Sequence, residues 1–540
     1  MSLRDLTLAL ALAGWVPFWT ARLIRRLHIF QLEEYLGGRF LRWWLADLPR
    51  SLPGWLRLAV ASLIALAVLT LADAPPWLAE LAIAGWGGLF GFAFLRRRPV
   101  AAKKPLVWTA RARRLIGLTL ILAALVVALV LTPGVLPAVG RPGGLLLTLG
   151  LLLAFDGPLL VAANALAQPF EASLRAFYRW RARRRLRQVA PFVIGVTGSY
   201  GKTSTKEITA TLLAAQAPTL KPPGSYNTLM GICLTINRWL APQHRFFVVE
   251  MGAYGRGDIR ALCQLVRPRV GVLTAIGPEH LERFGSLEAI EQTKYELVEA
   301  LPADGFAVMN VDDPRVRRLA DQTRHVRVVR YGLDPAGHPE VTATEITTGP
   351  SGVQFLARRG EEQFWVRSRL LGRHNVSNLL AGIAVARELG VSVEQVVAAA
   401  ATLAPPEHRL QLISTPGGPT IIDDAYNANP AGVRAALEVL QEFPAGKRVL
   451  VTPGMVELGP LEAEENERFG ALAAAVCDVV ILVGPKRTLP IQRGLLGAGF
   501  PPERLIVVRS LTEATERLRG LVGAGDVVLF CNDLPDQYNE

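Results

Sequence analysis

Apolar positions run almost unbroken through the first 170 residues of this chain, whereas beyond residue 190 they gather into short clusters set between polar segments. A membrane-spanning helix takes about 20 mostly apolar residues. Five stretches reach or approach that length: residues 6–21, 56–71, 77–95, 115–131 and 145–166. The first carries Pro17 and the last carries Asp156 and Pro158. From Pro191 the pattern changes. "PFVIGVTG" is a β-branched run ending in glycine, and "KTSTKEITATLLAAQ" has helical spacing. Two further apolar runs, "RFFVVE" and "VGVLTAIGPEH", end on Glu250 and on Glu279 and His280. The pair Pro405-Pro406 then marks a boundary. After it, "GPTIIDD", "KRVLVT", "DVVILVG" and "GDVVLF" alternate with helical stretches, which predicts a parallel sheet flanked by helices. The pattern therefore predicts an α-helical membrane region followed by α/β architecture.

Charge adds an orientation to the apolar runs. The 540 residues hold 59 Lys and Arg against 46 Asp and Glu, a net charge of +13. The excess lies between and just after the apolar runs, so it marks topology and not a nucleic-acid surface. Short cytoplasmic loops collect Lys and Arg. The segment after the first run is basic and "DAPP" is bare. "RRRPVAAKKPLVWTARARR" is basic again, the next loop has only Arg141, and "RAFYRWRARRRLRQ" closes the series. This alternation predicts a multi-pass protein of the cell membrane, in contact with lipid, its N-terminus outside and everything after Arg175 in the cytoplasm. No basic segment precedes the first run and no small-residue cleavage site follows it, unlike a signal peptide. Residues 27–50 read equally as an interfacial helix or as a connector. Asp156 marks either a functional site within the membrane or a break in the helix. Four widely spaced cysteines indicate neither a disulfide framework nor a zinc site.

The candidate chemistry lies in "GVTGSYGKTSTKE". A strand, a glycine loop and a helix form the context in which backbone amides and a helix N-terminus bind phosphate. In that reading Gly198, Ser199, Gly201 and Ser204 cradle phosphate oxygens, Lys202 reaches the β- and γ-phosphates, and the Thr203 hydroxyl faces Mg²⁺. The full phosphate-loop pattern is not met, because Val196 stands five residues before Gly201. Glu250 and His280, at the ends of apolar strands, lie where α/β sheets bind ligands, and a carboxylate there can complete a Mg²⁺ shell.

Nine segments occur in one order: "TGSYGKTSTKE", "GSYNTLMG", "VVEMGA", "GPEHLERFGS", "QTKYELVEAL", "GRHNVSNLLAGIAVA", "HRLQ", "DDAYNANP" and "GMVELG". Through them the chain from Phe192 onward resembles the Mur ligases, ATP-dependent amide-forming enzymes of peptidoglycan precursor synthesis. The resemblance implies a P-loop ATPase domain at 188–404 and a smaller Rossmann-like α/β domain at 405–540, with 1–187 as the transmembrane region. It implies ATP and two Mg²⁺, with Lys202 and Thr203 on phosphate and the first ion, and Glu250 and His280 on the second. Lys294 matches a lysine that many members carry as a carbamate (N6-carboxylysine), a metal ligand. Asn378 matches an adenine contact, Arg409 reaches the nucleotide from the domain junction, and Asp424 matches a ribose contact. By resemblance, Lys202, Glu250, His280 and Lys294 carry a reaction in which a carboxylate becomes an acyl phosphate and is attacked by an amine. The expected partners are a nucleotide- or lipid-linked muramoyl peptide and the dipeptide D-alanyl-D-alanine, with no nucleic acid. Two departures stand out. The membrane region occupies the place of the family's UDP-binding domain, and the C-terminal "CNDLPD" replaces a lysine-glycine-serine stretch. Two alternatives remain open: a membrane-bound ligase of another polymer, such as a poly-γ-glutamate synthase, or an ATP-driven transporter or nucleotide-gated protein.

Overall fold

The structure, a computed structural model, describes residues 3–47, 76–96, 106–130, 132, 140–224, 226–414, 417–426, 428–444 and 446–532. The chain divides into two compact units at Leu174/Arg175.

The first unit is helical: α1 (Leu3–Leu32), α2 (Pro76–Leu95), α3 (Ala110–Val130), α4 (Gly140–Ala154) and α5 (Asp156–Val189), the last continuing into the second unit. Small residues let α1 and α2 approach closely. A Cβ on Gly14 would lie 2.2 Å from the Gly87 carbonyl oxygen, and one on Gly87 would lie 2.2 Å from Ala11 Cα. Gly87 and Gly91 stand four apart on one face, the spacing that favours backbone contact between apolar helices.

Five spans were expected, but the described residues hold two helices long and apolar enough to cross a membrane, Leu6–Leu32 and Ala110–Val130. A third exists if Leu147–Ala154 and Asp156–Val189, bent by 76° at their junction, count as one. The expected span at 77–95 lies in α2, whose apolar run Ile83–Leu95 is too short to cross alone. The one at 56–71 lies outside the described residues. The first span is also longer than expected, because α1 runs on through Arg22, Arg25 and Arg26. Partners explain how: Arg22 and Arg26 pair with Asp156, and Arg26 with Asp47 at 3.0 Å. Trp44 Nε1 also donates to Asp156. Residues 37–47, within the segment that read as either interfacial helix or connector, are helical.

The second unit carries two sheets. Nine strands form the first: β1 (Phe192–Thr197), β2 (Thr219–Leu220), β3 (Phe246–Glu250), β4 (Val270–Leu273), β5 (Phe306–Asn310), β6 (Arg327–Tyr331), β7 (Val341–Gly349), β8 (Gly352–Arg359) and β9 (Glu362–Ser368). Their order is β2-β3-β1-β4-β5-β6-β7-β8-β9. The P-loop ATPase domain that the resemblance implies carries the expectation of a parallel sheet, but this sheet is mixed, since β7–β9 form an antiparallel meander. The reason is legible in the burial of β9, which alternates strictly over most of its length, whereas β3 is buried throughout. Around β1 pack α6 (Lys202–Ala214), α7 (Leu229–Trp239), α8 (Asp258–Val266), α9 (Leu287–Glu299) and α10 (Arg373–Glu388). β1 lies between β3 and β4, so the crossovers that follow it diverge to its two sides and leave a crevice at its C-terminal end.

The second sheet contains β10 (Gln411–Ser414), β11 (Thr420–Asp424), β12 (Arg448–Thr452), β13 (Val479–Val483), β14 (Leu505–Val508) and β15 (Val527–Cys531), ordered β10-β11-β15-β12-β13-β14. All pairs are parallel except β10 with β11 at the edge.

Candidate active site

The loop between β1 and α6 is held by its own side chains and by the end of β4. Ser199 Oγ donates to the Gly277 carbonyl and accepts from the Gly277 N–H, each at 2.9 Å. Gly201, at φ 79°, turns the chain into α6. A Cβ there would lie 2.6 Å from Asn378 Oδ1, and one on Gly198 would lie 1.9 Å from Thr274 Oγ1. Only glycine leaves both approaches open.

Three lysines meet three carboxylates at this crevice: Glu279, Glu250 and Glu207, the last 3.1 Å from Lys206. Lys202 Nζ donates to both carboxylate oxygens of Glu279, at 2.9 and 2.8 Å, and to the Ser199 carbonyl at 2.8 Å. Lys294, 1% exposed, donates to the Gly198 carbonyl at 2.7 Å and lies 3.5 Å from Glu279 Oε2. Burial raises the Glu279 carboxyl, but Lys202, Lys294 and His280 outweigh it and hold it below its ordinary value. Burial, helped by the Lys202 charge and opposed by Glu279, brings Lys294 down to about 8. Lys206, fully buried, donates to the Gly224 carbonyl at 2.6 Å and lies 3.5 Å from Glu250 Oε2. Asn227 Nδ2 holds the other Glu250 oxygen at 3.0 Å, leaving Oε2 buried without a hydrogen bond.

The remaining candidates meet from different directions. Arg409 donates to Thr203 Oγ1 at 3.3 Å and stacks over Tyr426, 4.3 Å from the ring centroid. Asp424, half-buried beside Arg409, accepts from the Leu410 N–H; desolvation pushes its carboxyl up to about 7, against the pull of Arg409. Asn378 accepts from Thr205 Oγ1 and donates to Asn375, so both ends of its amide are engaged. His280, in the left-handed region at φ 53°, pairs with Glu457 from the second sheet's domain and stacks against Tyr254. Among the described residues no group of three His, Cys, Asp and Glu could hold a metal ion. The four expected metal ligands are divided: Thr203 on Arg409, Glu250 on Lys206 and Asn227, His280 on Glu457, Lys294 on Glu279. One feature fits a cation, the unbonded oxygen of Glu250, because a hard divalent ion takes carboxylate oxygens.

Sequence reasoning left Glu279 at a strand end without a role, and it did not single out Lys206 or Glu457. All three lie within motifs quoted for the resemblance. Lys206 stands four residues after Lys202 on the same face of α6, the one signal that points to it.

Residues 196–386 match the Mur ligase middle domain, and residues 408–532 match the domain described as "Mur ligase, glutamate ligase domain". Over 364 residues the chain is 39% identical to the UDP-N-acetylmuramoyl-tripeptide–D-alanyl-D-alanine ligase of Mycobacterium bovis, covering 62% of this chain and 69% of that one. The chain belongs to the Mur ligase family. It is an ATP-dependent ligase. Among solved structures, MurF from Acinetobacter baumannii aligns with a TM-score of 0.61 at 28% identity, over 67% of this ligase and 78% of that chain. The MurF ligase from Thermotoga maritima, solved in complex with ADP, aligns with a TM-score of 0.59 at 29% identity, over 66% and 80%.

Proposed function

We propose that this Mur ligase joins D-alanyl-D-alanine to a muramoyl tripeptide, at the cytoplasmic face of the membrane that its helical unit enters. The observation that carries the reading is the 39% identity over 364 residues to a ligase of that name. The crevice at the end of β1 supports it, since it gathers Lys202, Lys206 and Lys294 around the phosphate-binding turn, each held by carboxylates that a polyphosphate can replace. A polyphosphate entering there displaces Glu279 from Lys202.

In this reading the tripeptide carboxylate attacks the γ-phosphorus of ATP. The bond to the β-phosphate oxygen breaks, leaving ADP and an acyl phosphate. The dipeptide amine then attacks the acyl carbon, loses a proton, and phosphate departs with the electrons of the C–O bond. Such transfers depend on positioning and charge neutralisation. Lys202 supplies neutralisation and the loop around Gly198, Ser199, Gly201 and Ser204 supplies amides. Arg409 and Asp424 approach from the second domain, which closes over the crevice and excludes the water that would hydrolyse the acyl phosphate. Thr203 would hold one Mg²⁺, which offsets phosphate charge when bound. A second ion on Glu250, His280 and a carbamylated Lys294 belongs to the same reading and requires His280 to leave Glu457 and Lys294 to leave Glu279. The lowered Lys294 favours it, because CO₂ adds only to the neutral amine.

The test is phosphate release by detergent-solubilised protein given ATP, D-alanyl-D-alanine and either a UDP-linked or a lipid-linked tripeptide, with the amide product read by mass spectrometry. Release that requires both peptide partners supports the reading and identifies the acceptor. Release with glutamate as the sole amine would favour the polymer synthases.

A further inference from the structure

The second half of α5, from Arg175 to Val189, carries seven arginines and no acidic residue. One face of it is committed to the protein. Ala182 is fully buried, Leu186 and Val189 pack beside it, and Arg185 Nε donates to the Leu240 carbonyl at 2.8 Å. The opposite face is bare. Phe177 and Trp180 are 50% and 56% exposed, three residues apart, and Arg184 stacks its guanidinium over Trp180. Flanking them, Arg179, Arg183 and Arg187 stand at four-residue spacing and are exposed. Like charges at that spacing repel along a helix.

The fold adds two more arginines from about 80 residues away in sequence. A cleft of about 520 Å³ is lined by Arg183 and Arg187 of α5 together with Arg267 and Arg269, which follow α8; of these, Arg269 is paired with Asp304. Arg267 closes α8 in the left-handed conformation, φ 50° and ψ 67°. Glycine adopts that conformation without strain and arginine does not. Arg267 thus carries a cationic side chain at a position where the backbone favours glycine.

We propose that this face of the catalytic unit is a docking site for anionic phospholipid, with Phe177 and Trp180 at the headgroup level and Arg183, Arg187 and Arg267 on the lipid phosphates. Aromatic rings beside arginines on one helix face are what a membrane interface selects. Basic clusters adjoining a membrane helix bind acidic headgroups. The inference rests on the reading that the helical unit enters the membrane, since α5 begins there. It goes beyond topology because Arg267 lies in the folded ligase domain, where no loop-charge rule operates.

The test uses the full chain in nanodiscs of phosphatidylcholine with a rising fraction of phosphatidylglycerol, read by backbone hydrogen exchange at residues 264–270. Exchange there is expected to slow as phosphatidylglycerol increases. Arg267→Gly, which relieves strain and should fold at least as well, is expected to raise the lipid fraction needed by about fivefold. Arg183→Gln with Arg187→Gln should raise it further. Equal exchange at every lipid fraction overturns the proposal, as does a response unchanged in Arg267→Gly. Co-elution with the discs reads the membrane placement separately: a chain that co-elutes without a lipid-dependent response sinks only the docking site, and one that never co-elutes sinks both.

Discussion

At the scale of the residue, the site is governed by charges that neutralise one another while no phosphate is bound. Glu279 serves Lys202 and Lys294 together. Removing one partner from a buried pair costs about 3–5 kcal/mol, because it strands the other charge. Glu279→Gln is therefore expected to lower the unfolding midpoint by several degrees, and added ATP should recover part of the loss by giving both ammonium groups a new partner; calorimetry with and without nucleotide reads both effects. Lys202→Met should leave the fold standing and lower turnover by roughly 10²–10³, the scale seen when one stabilising donor is deleted. Asp424 gives a pH signature. Raised from 3.8 to about 7, its carboxyl holds a proton in the folded state that the unfolded chain has lost between those pH values. Its contribution therefore opposes folding fully above about pH 7 and fades as the pH falls toward 4. Asp424→Asn should raise the unfolding midpoint at pH 8 and leave it nearly unchanged at pH 4, and an equal shift at both would show that this carboxyl is not responsible.

At the scale of the element, the decisive junction is the turn from β1 into α6. Gly201→Ala would place a methyl on Asn378 and force a left-handed residue, so Asn378 must give up either Thr205 or Asn375. A loss of about 1–3 kcal/mol in stability is expected, with nucleotide affinity falling alongside. Binding of a fluorescent ATP analogue and denaturant unfolding measure the two together. The motif "TGSYGKTS" declared this turn from sequence, since glycine, lysine and threonine at that spacing have few other uses. The β7–β9 meander was not declared, because two-sided and one-sided burial separate only once it is known what covers each face.

At the scale of the whole molecule, the second sheet's domain reaches the first through Arg409 on Thr203 and Glu457 on His280. If His280 and Lys294 are to serve an ion, the Glu457 contact must open during the cycle. Glu457→Gln, which weakens it without changing shape, is expected to lower the Mg²⁺ concentration needed for half-maximal phosphate release, whereas a purely structural contact would change thermal stability and leave the Mg²⁺ dependence untouched. The helical unit makes a separate claim. With two or three helices long and apolar enough to cross a membrane among the described residues, the full chain should remain with membranes after an alkaline carbonate wash.

The sequence by itself determined the division into an apolar helical region and an α/β ligase, because both follow from local periodicity and from motifs only a few residues long. It also named Lys202, Glu250, His280, Lys294, Arg409 and Asp424, since each stands inside such a motif. Which of them touch was decided by the tertiary structure alone. Lys202, Glu279 and Lys294 are far apart in sequence and meet only because α6, the end of β4 and α9 converge on one crevice. The number of spans was likewise not a matter of hydropathy alone: Arg22 and Arg26 remain inside one long α1 because Asp156 and Asp47 neutralise them from elsewhere in the chain. Hydropathy is a property of a segment, but the pairing of charges is a property of the fold.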